Sequence, residues 1–243
     1  MTPEIWDELD RALAAEEMVA VATVVAGPGI GRQLLLRPSG AGPGGLGDAE
    51  LDAAAERLAG EAFARFASRR AVVTSGDQEV ELFLDIHPPP PKLIIVGAVH
   101  VAVALIGFAA RLGFRTVVID PRSAFATAER FAEADELICD WPAEAMAAVG
   151  LNEATYVAVL SHDLKIDLPA LEVTLRSPAR YVGALGSRKT HAKRVAALTE
   201  SGFSDDEIGR IHSPIGIDLG GGRRAEEIAL SVIAEIVRAS HGG

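Results

Sequence analysis

Apolar and polar positions divide the chain into two stretches with different rhythms. In the first, Ile5, Leu9 and Leu13 fall at helical spacing behind Thr2-Pro3, a cap followed by a proline in the first turn. Met18 to Ala26 is a continuous, valine-rich run, which predicts a buried strand. Gly27-Pro28-Gly29 breaks it, and Gln33 to Arg37 is its expected partner. Ser39 to Gly47 reads as a glycine-rich loop. Asp48 is placed to cap a helix that carries Leu51, Ala55, Leu58, Ala62 and Phe66 on one face. Ala71 to Thr74 and Val80 to Ile86 predict two strands around a Ser75-Gly76-Asp77 turn.

Pro88 to Pro91 then interrupts both patterns. Consecutive prolines form stiff, extended polyproline II, which continues neither a strand nor a helix. Beyond it, short apolar runs alternate with helical stretches. The runs are Leu93–Val96, Arg115–Ile119, Glu136–Cys139, Thr155–Leu160 and Arg180–Leu185, and the last helical stretch is Ala225 to Ala239. Strands that read as apolar runs are buried on both faces, as in a parallel sheet covered by helices. The expected class is α/β: a C-terminal Rossmann-like, doubly wound parallel sheet with a smaller N-terminal α+β domain. The expected organisation is residues 1–87 for the first domain, 88–92 for the linker and 93–243 for the second domain.

Composition narrows the range of partners. Of 243 residues, 49% are apolar, so a sizeable core can form. The net charge is −11, which argues against nucleic acid or an anionic membrane as a general partner, since both attract a basic face. No apolar run reaches the ~18 residues of a spanning helix. The start, Met1-Thr2-Pro3-Glu4, lacks the basic-then-apolar pattern of a signal peptide, and Cys139 is the sole cysteine. Together these predict a cytoplasmic protein without a disulfide or a membrane span.

Four segments carry candidate chemistry. Gly97-Ala98-Val99-His100-Val101-Ala102 follows the first strand of the second stretch and opens a helix, where a dinucleotide fingerprint sits. Val99 stands where glycine is expected, and Asp120 ends the next strand, as a ribose-binding acid would; a plain Rossmann turn is the other reading. Gly183-Ala184-Leu185-Gly186-Ser187-Arg188-Lys189 is a strand, a turn and a helix start. Free amides, Ser187 and the two cations there make an anion cradle, and a phosphate-type ligand is favoured over a solvated basic face running on through Lys193 and Arg194. Gly216 to Arg224, with three successive glycines, is either a second ligand-facing loop or a flexible connector. Ser161-His162-Asp163 ends the fourth strand. Neighbouring strand residues point to opposite faces, so these three are ligand contacts or turn residues and no triad. Asp167 before Leu168-Pro169 is expected to cap a helix, and Cys139 to be a buried, inert thiol. No histidine or cysteine spacing suggests a metal site.

From Pro88 to about Ala239 the chain resembles the XdhC/CoxI family, accessory proteins of xanthine dehydrogenase and related molybdenum hydroxylases. The resemblance rests on Leu93-Ile94-Ile95-Val96-Gly97-Ala98-Val99-His100, Val118-Ile119-Asp120-Pro121-Arg122, Leu160-Ser161-His162-Asp163 and, most specifically, Tyr181-Val182-Gly183-Ala184-Leu185-Gly186-Ser187-Arg188-Lys189-Thr190-His191. It implies binding of molybdenum cofactor, as molybdopterin or its dinucleotide form, and delivery to an apo molybdenum hydroxylase, with a cysteine desulfurase and a second copy of the chain as further partners. It further implies a chaperone and no turnover enzyme. Gly183, Gly186, Ser187, Arg188 and Lys189 would hold phosphate, Asp120 and Arg122 the nucleotide or pterin, with Gly97, Ala98, His100, His162 and Asp163 lining the crevice. The alternatives are an NAD(P)-dependent oxidoreductase and a ligand-free scaffold. In the first domain the sequence departs from the family pattern. Gly27-Pro28-Gly29-Ile30-Gly31-Arg32, Gly44-Gly45-Leu46-Gly47-Asp48 and Thr74-Ser75-Gly76-Asp77 replace a Gly-Ser-Ser/Thr-Pro-Arg turn and two cysteine-containing segments.

Overall fold

The computed structural model of the chain describes residues 1–221 and 224–241, which form two compact units, Met1–Pro89 and Pro90–His241. The first contains α1 (Pro3–Ala14), β1 (Val19–Ala26), β2 (Gln33–Arg37), β3 (Gly40–Gly44), α2 (Ala49–Arg65), β4 (Arg69–Ser75) and β5 (Gln78–His87). Its antiparallel sheet runs β3-β2-β1-β5-β4. Side chains of β1 alternate between two cores, as a strand requires. Val19 and Val21 pack with Ile5 and Leu9 of α1, and Ala20, Ala22 and Val24 pack with Leu51, Ala55 and Phe63 of α2. The glycine-rich loop expected over Ser39–Gly47 is partly a strand. Gly40–Gly44 pairs with β2 at the sheet edge, where Pro43 need not supply an amide to a further neighbour.

The second unit contains β6 (Lys92–Val96), α3 (His100–Arg111), β7 (Arg115–Ile119), β8 (Glu136–Ile138), α4 (Pro142–Val149), β9 (Thr155–Val159), α5 (Leu164–Leu175), β10 (Tyr181–Ala184), α6 (Arg188–Glu200), α7 (Asp205–Gly209), β11 (Ile211–His212) and α8 (Ala225–Ser240). All six strands are parallel, in the order β11-β10-β9-β6-β7-β8. This is a doubly wound Rossmann arrangement, and the chain reverses direction between the adjacent strands β6 and β9. Lys92, read from sequence as the end of the linker, is the buried first residue of β6, and its Nζ donates to Val149 O and Gly150 O at 3.2 and 3.3 Å. The two-residue β11 has no counterpart among the apolar runs.

The sheet separates two cores. Leu93 and Ile95 of β6 face α3 and α8, with Leu105, Val232 and Ile236, while Ile94 and Val96 face α4 to α6, with Met146, Ile166 and Leu198. Every residue of β6 and β9 is buried, which explains their unbroken apolar sequences. The central position of Ile95, fully buried, makes it the best probe of this packing. Ile95→Ala is expected to lower the unfolding free energy by about 2–5 kcal/mol in urea denaturation.

Candidate functional site

In doubly wound sheets the crevice off the carboxyl ends of the strands opens where the winding reverses, here between β6 and β9. The chain leaves β6 through Gly97, at φ +111°, where a Cβ would lie 2.6 Å from the backbone nitrogen of Ser161. No side chain fits there, and the conformation itself favours glycine. Ala98 N donates to Asp120 Oδ2 at 2.7 Å. Asp120 Oδ1 accepts from Arg122 N and Nε, each at 2.9 Å, and Oδ2 also accepts from Arg122 Nη2 at 2.7 Å. Asp120 is fully buried and both of its oxygens are engaged within the chain, so it fastens the β6 turn to the β7 turn. Arg122 remains part-exposed, with its guanidinium 4.6 Å from the Phe125 ring centroid. Val99 caps α3 in ordinary extended backbone, and its side chain packs on the α3–α8 core. His100 is exposed at the first turn of α3, which has no side-chain cap.

The second wall comes from the loops after β9 and β10. Ser161 is fully buried and its Oγ donates to Asp167 Oδ1. Asp167 lies inside α5, so the expected cap is corrected: the helix begins earlier, at Leu164, and Asp163 caps it by accepting from Lys165 N. Asp167 instead pairs with Arg194 of α6, whose Nε donates to Oδ2 at 3.0 Å and whose Nη2 reaches the same oxygen. Both residues are fully buried. Arg194 Nη2 also donates to Leu185 O at 2.8 Å, so one side chain ties the loop after β9 to the loop after β10. The alternative reading, a solvated basic face running on through Arg194, therefore fails at that residue, which points inward. Burial pushes the Asp167 carboxyl up, against the downward pull of Ser161 and Arg194.

Gly183 lies in β10, where a Cβ would come within 2.4 Å of Ile215 and 2.5 Å of the Tyr181 hydroxyl, so it serves packing. The turn proper is Leu185-Gly186-Ser187. Gly186 has φ +152°, and Ser187 caps α6 through Thr190 N. Ser187, Arg188 and Lys189 are exposed, as are His162 and Asp163 across the crevice. The fold thus brings the β6, β7, β9 and β10 turns to one edge of one sheet, with the N-termini of α3, α5 and α6 there as well. Such termini favour anions through free amides and the helix dipole. Cys139 is exposed at the end of β8, which corrects the expected buried thiol. Within Gly216–Arg224, Gly222 and Arg223 lie outside the described residues.

Over residues 93–236 the chain matches the XdhC Rossmann domain. The chain belongs to this family. Among curated proteins, YqeB of Escherichia coli (strain K12), an uncharacterized protein, is 29% identical over 160 residues, covering 65% of this chain and 29% of the relative. A probable xanthine dehydrogenase subunit of Bacillus subtilis (strain 168) is 31% identical over 162 residues, covering 67% of this chain and 47% of the relative. The molybdenum cofactor insertion chaperone PaoD of Escherichia coli (strain K12) is 41% identical over 96 residues, covering 40% of this chain and 29% of the relative. The chain thus spans less than half the length of these relatives. A crystal structure of a xanthine dehydrogenase from Bacillus halodurans shares the fold, with TM-score 0.54 and 20% identity over 98% of this chain and 96% of that one. No helix among the described residues is long and apolar enough to cross a membrane.

Outside the XdhC Rossmann domain, the three departing segments of the first unit meet. Gly29 and Arg32, Gly47 and Asp48, and Ser75 and Gln78 line one cavity of about 260 Å³. Ser75 Oγ donates to Asp48, which also caps α2, and that hydroxyl followed by the Glu50 amide holds the carboxyl below its ordinary range. A carboxylate and a hydroxyl thus meet where the segments around Asp48 and Ser75 come together.

Asp120 gives this site a defined pH response. Burial alone would raise its pKa, but hydrogen bonds from the Arg122 side chain and the Ala98 and Arg122 amides outweigh it and hold the carboxyl below the ordinary 3.8. A depressed folded pKa stabilises fully above the unfolded value and is lost as pH falls through the folded one. Asp120→Asn is expected to cost about 1–3 kcal/mol at pH 7, and the gap from wild type to shrink below pH 3.8; urea melts at pH 7 and 3 check both.

Proposed function

We propose that the chain is an accessory protein that binds molybdenum cofactor and passes it to an apo molybdenum hydroxylase of the xanthine dehydrogenase type. The observation that carries this reading is the α6 N-terminus. Exposed Arg188 and Lys189 flank a serine-capped turn at the edge where ligands of this fold lie. Family membership and the roles of two relatives, one a probable component of a xanthine dehydrogenase and the other a cofactor insertion chaperone, support it. The cofactor carries an anionic phosphate on an extended pterin, and the donors present fit such a group. Gly186, Ser187, Arg188 and Lys189 would hold the phosphate, and Arg122, Gly97, Ala98, His100, His162 and Asp163 would line the rest. Asp120 orders the β6 turn and presents Arg122, while Gly183 keeps β10 close to Ile215.

When bound, the cofactor supplies the redox and sulfur chemistry; the chain's own residues bind, orient and shield it. No group in the crevice needs to turn over a substrate, so the role is that of a chaperone working in the cytoplasm. A desulfurase and a second copy of the chain are further partners under this reading. For an NAD(P)-dependent oxidoreductase, the acid expected to take a ribose diol is Asp120, and its oxygens are already committed to Ala98 and Arg122. Anaerobic calorimetry with molybdenum cofactor, run beside NAD and NADH, tests the proposal. The cofactor alone is expected to bind, and the Arg188→Glu/Lys189→Glu double variant to weaken it about tenfold or more. Binding of the nicotinamide alone overturns the carrier reading.

A further inference from the structure

The XdhC Rossmann match begins at residue 93, so the cavity of the first unit lies outside it. Part of its lining is apolar: Leu46, Leu51 and Val80 belong to the core that packs on α2. Arg32, Asp48, Ser75 and Gln78 supply polar groups to the same space. At about 260 Å³ it is smaller than the ~300–1,000 Å³ of pockets for drug-sized ligands, which limits an occupant to a small metabolite.

The backbone carrying the two charges is fixed. Arg32 N donates to Gly29 O at 2.9 Å and Arg32 O accepts from Val24 N at 3.0 Å, which closes the turn between β1 and β2. Leu46 N donates to Asp52 Oδ1 at 2.8 Å, and Asp48 accepts from Glu50 N at 3.1 Å and from Ser75 Oγ of β4. Two glycines then make room for the Arg32 side chain. Gly29 has φ +79° and its Cβ would stand 3.3 Å from Arg32 Cδ; Gly47 has φ +101° and its Cβ would collide with Arg32 Nη1. The guanidinium therefore rests against Gly47, the residue before Asp48. The two charges nevertheless stay apart: among the described residues the Arg32 side chain makes no hydrogen bond and no ion pair. Each Asp48 oxygen takes one donor and keeps a lone pair.

A guanidinium and a carboxylate that line one cavity without pairing select the charge of its occupant. A phosphate or a simple carboxylate meets Asp48 as a like charge, and an amine meets Arg32 in the same way. A molecule with both signs suits both: its carboxylate takes the planar Arg32 fork and its ammonium the remaining lone pairs of Asp48. An aliphatic side chain then covers the apolar part of the lining.

We propose that the first unit carries a binding site for a free aliphatic α-amino acid, with Arg32 on the carboxylate, Asp48 on the ammonium and Leu46, Leu51 and Val80 against the side chain. The site is independent of the carrier reading, which concerns the second unit.

The probes are L-alanine, L-valine and L-leucine, titrated into the isotope-labelled full chain and read by NMR. Isocaproate, which is leucine without its ammonium, and isoamylamine, which is leucine without its carboxylate, are the controls. Saturable shifts are expected at the Gly29, Gly47 and Ser75 amides, with leucine bound about tenfold or more tightly than either control. Arg32→Met keeps the apolar stem and removes the guanidinium, and Asp48→Asn removes the charge and keeps a helix cap. Each is expected to weaken leucine about tenfold or more, Arg32→Met erasing its advantage over the amine and Asp48→Asn its advantage over the carboxylate. Thermal melts followed by circular dichroism establish that the variants fold, and the comparison of leucine with its two controls needs no variant. The inference is overturned by absence of saturable binding of all three amino acids, by a control that binds as tightly as leucine, by shifts centred on Gly186 and Ser187 instead, or by unchanged affinity in the folded variants.

Discussion

The buried pair of Arg194 and Asp167 fixes the geometry of the ligand edge. Neither residue touches water, and removing both charges from solvent costs several kcal/mol per ion before their attraction is counted. The cost is offset only when the remaining valences are satisfied, and most are. Asp167 takes Ser161 Oγ on one oxygen and Arg194 on the other, and Arg194 adds the Leu185 carbonyl. An apolar pair of similar volume would fill the space between α5 and α6 at least as cheaply. What it would not do is hold two loops from two different strands at one distance. We read the pair as a device for placement, and placement is what a ligand edge built from four separate turns requires.

The other half of the edge depends on close approach rather than charge. Gly97 lets the β6 turn lie against the Ser161 backbone, and Asp120 draws the β7 turn onto the same point through Ala98. Ser161 thereby links both halves. Its backbone abuts Gly97, its amide donates to Val96 O at 3.2 Å, and its hydroxyl reaches the ion pair. Direct contacts through Ser161 thus connect the Arg194–Asp167 pair to the β6 turn.

Much of this was legible in the sequence. Both-face burial made the central strands readable as apolar runs, and the ~20-residue spacing from Gly97 put Asp120 at the neighbouring strand end. The role of Asp120 was less legible, because a carboxylate at a strand end serves a ribose or its own backbone equally well, and the hydrogen bonds decide. Arg194 was missed for a different reason. In sequence it closes a run with Arg188, Lys189 and Lys193, which reads as one basic face. The signal lay in the helical period: Arg194 is four residues before Leu198, which is fully buried, and so shares its inward stripe. Asp167 gave the same clue, standing with Ala170, Leu171 and Thr174 on the buried side of α5. β3 and β11 escaped detection because glycine, proline and a length of two residues leave no periodicity to detect.

The net charge of −11 sets the last condition on how this edge works. An anionic ligand approaches a protein whose overall field repels it, but that field is screened beyond about 8 Å at physiological salt. Recognition must therefore be local. Exposed cations such as Arg188 and Lys189 are weakened by the same screening, whereas donors withdrawn from water keep their strength because the surrounding dielectric is low. For a chain with this composition, selective recognition of an anion would depend on donors withdrawn from water as well as on exposed cations. Around α6, Arg194 is buried beneath the closely packed Gly186 turn, while Arg188 and Lys189 stand exposed at the first turn of the helix.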